Sequence, residues 1–168
     1  MTMTDRASPG VDHVRAGGGS ASWVVGDTYT TKATAESTGG AFSLLEASIP
    51  PGGGPPPHLH TNEDEAFYLL NGVLEISAGD ETTLARAGDF VYLPRGIVHW
   101  FTNPGVDAAR TLIIVAPAGF ERYFQEIGMP ASPGEQAPPF DAADLQRHAE
   151  TSRTYGIQID PPTSASTI

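Results

Sequence analysis

The sequence predicts an all-β fold, a sandwich or barrel of eight or nine short strands followed by short C-terminal helices. Three observations predict it. Glycine and proline number 19 and 15 in 168 residues, a turn-rich composition. Short β-branched and apolar runs recur with no helical period between them. Turn pairs separate those runs, among them Gly79-Asp80, Gly88-Asp89, Arg95-Gly96 and Pro104-Gly105.

Residues 1–22, ending RAGGGSAS, offer little to bury and read as a flexible N-terminal arm. From Trp23, WVVGDTYTTKAT turns at Gly26-Asp27 as a hairpin would. STGG then leads into AFSLLEASI, and EAFYLLN, VLEISA, TTLARA, DFVYLP, VHWFTN and ARTLIIVAP follow. The barrel is thus expected over 23–117. Past Pro117, Phe120, Tyr123, Phe124 and Ile127 fall at i, i+3, i+4 and i+7, one face of a helix that packs on the core, caps the barrel or crosses a dimer. The Pro-rich MPASPGEQAPPF leads to Asp141, an N-cap for AADLQRHAETSR. A helical extension is expected over 118–160 and a disordered tail over 161–168.

Composition excludes several functions. Twenty acids face nine bases, Lys32 is the one lysine, and the formal charge is −11. Such a chain has no basic stripe for nucleic acid or an anionic membrane surface. With no cysteine, thiolate metal sites, Fe–S clusters and disulfides are out. MTMTDRASPG lacks the basic-then-apolar pattern of a secretory leader and no long apolar run exists, so a cytoplasmic protein is expected.

The segment GGGPPPHLHTNEDEAFYLLNG, residues 52–72, carries the chemistry. On a strand His58 and His60 share one face with Cα atoms about 6.5–7 Å apart. Strand parity groups Glu65 with Phe67 and Leu69, and puts His99 with Phe101. An isolated His-x-His reads equally as a polar turn, and a lone His99 as a core residue. Together the three imidazoles and one carboxylate form an N₃O set suited to a divalent first-row metal. His13 and His148 read as solvated surface residues, and Glu63 and Asp64 as loop acids.

These residues carry a family resemblance. Gly52, five residues, His58-x-His60, four residues, Glu65, six residues, Gly72 resembles the first cupin motif without departure. Gly88, five residues, Pro94-x-Gly96, two residues, His99, three residues, Asn103 resembles the second. The resemblance implies a single-domain double-stranded β-helix, or jelly-roll barrel, with His58, His60, Glu65 and His99 as ligands of one Fe, Mn, Co, Ni, Cu or Zn ion. PPPHLHTNEDEAFYLLNG, GFERYFQEIGMPA and YGIQIDPP are similar to the quercetin 2,3-dioxygenase-like monocupins.

That second resemblance implies a ring-cleaving dioxygenase acting on a small aromatic substrate and O₂. Glu65 would be both ligand and catalytic base, its pKa raised by desolvation. The expected substrate pocket is apolar: Phe42, Leu44, Phe67, Leu69, Phe101, Ile113 and Val115. Arg86, Arg95 and Arg110 sit at turns or strand ends, which disfavours a phosphorylated substrate. A different dioxygenase substrate, a non-catalytic ligand-binding barrel and a sugar isomerase are the alternatives. Barrel edges and apolar helices suggest a homodimer.

Overall fold

The computed structural model describes residues 10–159. The arm expected over 1–22 is therefore covered only from Gly10, and the tail expected over 161–168 lies outside the described residues. In chain order the strands are β1 (Ser20–Val24), β2 (Asp27–Ala33), β3 (Ser43–Ile49), β4 (His58–His60) and β5 (Asp64–Asn71). Next come β6 (Val73–Ala78), β7 (Glu81–Arg86), β8 (Phe90–Leu93), β9 (His99–Thr102) and β10 (Ala109–Ala116). Helix α1 (Glu121–Ile127), β11 (Met129–Pro130), α2 (Ala142–Thr154) and β12 (Ile157–Ile159) complete the chain.

Two antiparallel sheets form the body. One runs β11-β1-β2-β3-β10-β5-β8 and the other β12-β4-β9-β6-β7. Their inner faces share one core, in which Leu45, Phe67, Leu69, Ile113 and Val115 of the larger sheet meet Leu74, Ile76, Phe101 and Ile157 of the smaller. Phe67 and Phe101 touch edge to face across the gap at 5.4 Å. This is the expected all-β sandwich.

Strand alternation sets which residues enter the core. In β3 the buried positions are Ser43, Leu45, Ala47 and Ile49, aligned with Val115, Ile113, Thr111 and Ala109 of β10. Leu44 therefore points outward and is half-buried, and Phe42, before the strand, is 39% exposed. Neither is an inward residue as the sequence suggested. Adjacent Leu44 and Leu45 leave the phase ambiguous to any hydropathy reading. The phase is resolved by a polar contact, since Ser43 points inward to donate to the Glu121 carboxylate.

That carboxylate also fixes α1. Glu121 is buried and accepts from the backbone N–H groups of Ala35 and Gly119, each at 2.8 Å, besides the Ser43 hydroxyl. Burial alone would raise its pKa, but these donors together hold it below the usual carboxylate value. Helix α2 begins with a reciprocal capping box between Asp141 and Asp144, as the N-cap assignment anticipated. It docks on α1 through Tyr123 Oη and Ser152 Oγ, 3.0 Å apart. Neither helix is long and apolar enough to cross a membrane.

Asn103, 1% exposed, latches the two motif segments. Its amide donates to the carbonyls of Ile49 and Asp107, both at 2.8 Å, and accepts from Gly105 N–H at 2.8 Å. Its backbone exchanges hydrogen bonds with Gly52 and Gly53 at 2.8 and 3.0 Å. Replacing Asn103 by Ala strands several buried polar groups, so urea denaturation should show a loss of about 2–4 kcal/mol.

Asp27 is fully buried, and its Oδ2 accepts from Tyr29 Oη at 3.2 Å. Burial pushes its carboxyl pKa up to about 7, against the hydrogen bonds from Tyr29 and the Gly54 backbone. A folded pKa above the unfolded one favours the protonated form. The stabilisation is complete below pH ~4 and is lost as pH rises through about 7. Asp27→Asn should remove this component: relative to wild type, the variant should gain about 3 kcal/mol between pH ~4 and ~7.5 in urea titrations.

Candidate metal centre

Strand β4 is only three residues long, and its register is set from both sides. His58 pairs with His99 of β9, while Ile157, Gln158 and Ile159 of β12 pair with His60, Leu59 and His58. The preceding Gly/Pro segment brings β4 close to β9. A Cβ on Gly54 would lie 1.9 Å from the Phe101 carbonyl oxygen, and Gly54 has φ +135°. No other residue fits there without moving the backbone. The turn before β9 is tied back as well, because Gly96 N–H donates to the His60 carbonyl at 2.7 Å. Arg95 forms a two-pronged pair with Asp64, at 3.0 Å for each contact. Asp64 is thus the first residue of β5 and a clamp on the turn rather than a free loop acid.

Three imidazoles from the smaller sheet face one carboxylate from the larger. One potential donor atom each from His58, His60, Glu65 and His99 lies within 4.8 Å of the other three. The ring centroids of the histidines are 4.5–5.4 Å apart. His58 Nδ1 lies 2.9 Å from the Pro56 carbonyl and His99 Nδ1 3.0 Å from that of Ile97. A carbonyl only accepts, so Nδ1 carries the proton in both; Nε2 of His58 then offers its lone pair toward the cluster, while Nε2 of His99 donates to Glu65 Oε2 and would give up that proton to bind a cation.

His60 Nδ1 faces Glu63 Oε2 at 3.6 Å, longer than a hydrogen bond. Both of these atoms are buried without a hydrogen-bond partner, as is His60 Nε2. An unpartnered imidazole nitrogen aimed at two others and a carboxylate is what a cation site needs. The donor set fits one divalent transition ion, held by three neutral nitrogens and one oxygen.

The electrostatics prepare His58 and Glu65 for that role, and His99 would release a proton on binding a cation. Burial, with the neighbouring His99 and His60, pushes the His58 pKa down to about 3, so it is a neutral donor at physiological pH. His99 Nε2 lies 3.0 Å from Glu65 Oε2; burial opposes its charged form, but that contact and the Glu65 charge hold its pKa above the usual value. For Glu65, burial works upward, yet the His99 hydrogen bond and the three imidazoles bring its pKa below the usual carboxylate value. The sequence argument foresaw the desolvation and not the imidazoles that outweigh it. Glu65 is therefore ionised at neutral pH.

A cavity of about 620 Å³, counting its open mouth, leads to the cluster. Its floor is formed by His58, His60 and Glu65. Among the residues expected to line a pocket, Phe101 and Ile113 do so; Phe67, Leu69 and Val115 are buried in the core beside it, outside its wall. Phe42 and Leu44 are absent from the wall for the parity reason given above. Most of the remaining wall comes from the ends of the chain. Val24, Val25 and Tyr29 form one side, and Phe120, Tyr123, Phe124, His148, Ile157 and Ile159 the other. Phe120 stands edge-on against His60 at 4.6 Å.

One further sequence assignment, that of His148, needs correction, and the loop acid Glu63 takes a definite place. His148 is 6% exposed and lines the cavity, so it is no solvated surface residue. It shares a buried helix face with Ser152, four residues on, a spacing visible in the sequence but masked by the polarity of both residues. Glu63 is 8% exposed and backs His60. Its signal was the three-residue offset from His60, short enough for a turn to fold the carboxylate back.

Comparisons with known proteins agree with this geometry. Residues 45–115 match the cupin domain family. Quercetin 2,3-dioxygenase of Aspergillus japonicus is 33% identical over 117 residues, covering 66% of this chain and 33% of that protein. The enzyme of the same name from Bacillus subtilis is 26% identical over 132 residues, covering 76% of this chain and 38% of that protein. The match thus spans about a third of the length of the first relative and somewhat more of the second. In fold it resembles an RmlC-like cupin from Shewanella frigidimarina, with a TM-score of 0.58 at 13% identity, covering 68% of this chain and 99% of that one. The paired motifs, the two-sheet sandwich and the shared sequence lead to one conclusion: this chain belongs to the cupin superfamily and resembles the quercetin 2,3-dioxygenases.

Proposed function

We propose that the protein is a metal-dependent dioxygenase that opens a flavonol-like, enolisable aromatic ring with O₂. The observation that carries this reading is a buried His₃Glu cluster on the floor of an apolar cavity. No lysine or arginine is among the cavity's described lining residues, which supports a neutral ligand over a phosphorylated one. The quercetin dioxygenase relatives point to the same substrate class.

A divalent ion held by His58, His60, Glu65 and His99 would supply Lewis acidity toward a substrate hydroxyl and redox access to O₂. The chain's own residues do the rest. Phe101, Ile113, Phe120 and Phe124 exclude water and pack against a flat ring. Glu65, ionised in its buried setting, accepts the proton of the substrate's enolic hydroxyl through a carboxylate oxygen. The three imidazoles would still hold the ion while Glu65 carries that proton. In the overall reaction both atoms of O₂ enter the product and one ring carbon leaves as carbon monoxide.

Metal analysis of the purified protein should find about one transition ion per chain. Oxygen uptake with quercetin, after separate reconstitution with Fe, Mn, Co, Ni, Cu and Zn, should show turnover and carbon monoxide release with at least one ion. Bound metal without oxygen uptake under any of these conditions would make the protein a binding module instead. Glu65→Gln should keep most of the metal while kcat falls by roughly 100-fold or more. Wild-type turnover in that variant would remove Glu65 from the proton transfer.

A further inference from the structure

We propose that His148 is a specificity-determining residue that hydrogen-bonds a hydroxyl on the end of the substrate remote from its metal-chelating oxygens. The proposal rests on the dioxygenase reading for which end of the ligand is remote. It gives the cavity two polar poles separated by an apolar middle.

The first argument is an inventory of polar atoms. Beyond the cluster, the side chains on the wall with polar groups are Tyr29, Tyr123 and His148. Tyr29 Oη is already engaged with Asp27 at 3.2 Å, and Tyr123 Oη with Ser152 Oγ at 3.0 Å. His148 differs: it is 6% exposed, and its Nδ1 is buried with no hydrogen-bond partner. Such an atom costs about 1–3 kcal/mol unless something arrives to satisfy it. A substrate hydroxyl can satisfy Nδ1 either by donating to it or by accepting from it, so either tautomer serves.

The second argument is placement. Edge and stacking contacts run from His60 to Phe120 at 4.6 Å, from Phe120 to Tyr123 at 5.4 Å, and from Tyr123 to His148 at 6.4 Å. Two aromatic rings thus link the cluster to His148, which is not among the four residues whose donor atoms converge. A flat molecule lying along those rings presents its two ends to two different histidine environments. His148 also lines a smaller hollow beside Trp23 and Phe140. Burial lowers the pKa of His148, more than the nearby Asp144 raises it, so the residue meets a neutral ligand as a neutral group. Helix α2, which carries it, lies outside the 45–115 cupin match, so this contact is an addition to the barrel.

The test compares two probes with the same chelating hydroxyl–carbonyl pair. Quercetin carries hydroxyls on its remote rings and 3-hydroxyflavone carries none. Anaerobic calorimetry on zinc-loaded wild type should show quercetin binding roughly 10-fold tighter, the weight of one hydrogen bond. His148→Phe should erase that preference by weakening quercetin alone, and His148→Gln should restore part of it. Equal affinities in wild type, unchanged binding in His148→Phe, or equal weakening of both probes would each overturn the assignment while leaving metal chelation intact. Wild-type protein that binds neither probe would end the flavonol reading and this one with it. Should His148→Phe not fold, the imidazole ¹⁵N resonances of His148 in wild type decide: a shift with quercetin and none with 3-hydroxyflavone supports the contact, and no shift with either overturns it.

Discussion

In the cluster two of the three imidazoles are held from behind by a backbone carbonyl two residues earlier, Pro56 for His58 and Ile97 for His99. This contact fixes the ring orientation and directs Nε2 of each ring into the cluster. It needs a backbone that does not move. The demand explains the Gly/Pro frames around both motifs: Gly54 lets the chain pass against Phe101, and Gly96, at φ +80°, closes the turn bonded to His60. A histidine on a mobile loop would lose its orientation, and a scatter of about an ångström is enough to spoil a shared ion.

The remaining structure keeps the two sheets at the right separation. Glu65 comes from the seven-stranded sheet and the histidines from the five-stranded one, so their meeting depends on the core between them. Asn103 bonds the start of the first motif to the end of the second, Asp64 grips Arg95, and Glu121 pins α1 over the cavity. These are polar latches on an apolar sandwich. The side chains that shape the cavity come largely from segments outside the barrel's central strands. The barrel thus supplies the His₃Glu cluster, and its flanking segments shape the cavity beside it.

Much of this was legible in the sequence, and the failures have physical causes. The His58-x-His60, Glu65 and His99 pattern could be read because strand geometry makes an i, i+2 pair share a face, and because glycine and proline mark the turns. The phase of β3 could not, since Leu44 and Leu45 are equally apolar and the deciding group, Glu121, lies far along the chain. His148 was hidden for a related reason. Its burial depends on Tyr123 and Phe140, which meet it only after α2 folds back on α1. The pKa of Glu65 went in the unexpected direction because three neighbours, rather than the apolar wall, control it. Local pattern reaches strand-level facts; contacts between distant segments need the fold.

The pairing of β12 with β4 bears on how the protein is made. A ribosome releases the His58–His60 strand long before Ile157 leaves the exit tunnel, and until then that strand lacks a neighbour on one side. The edge of the cluster is therefore completed only after Ile157–Ile159 has docked on His58–His60. An ion that fits the cluster would then meet an already folded site, so growth medium and expression host, as much as ligand chemistry, would decide which element it takes.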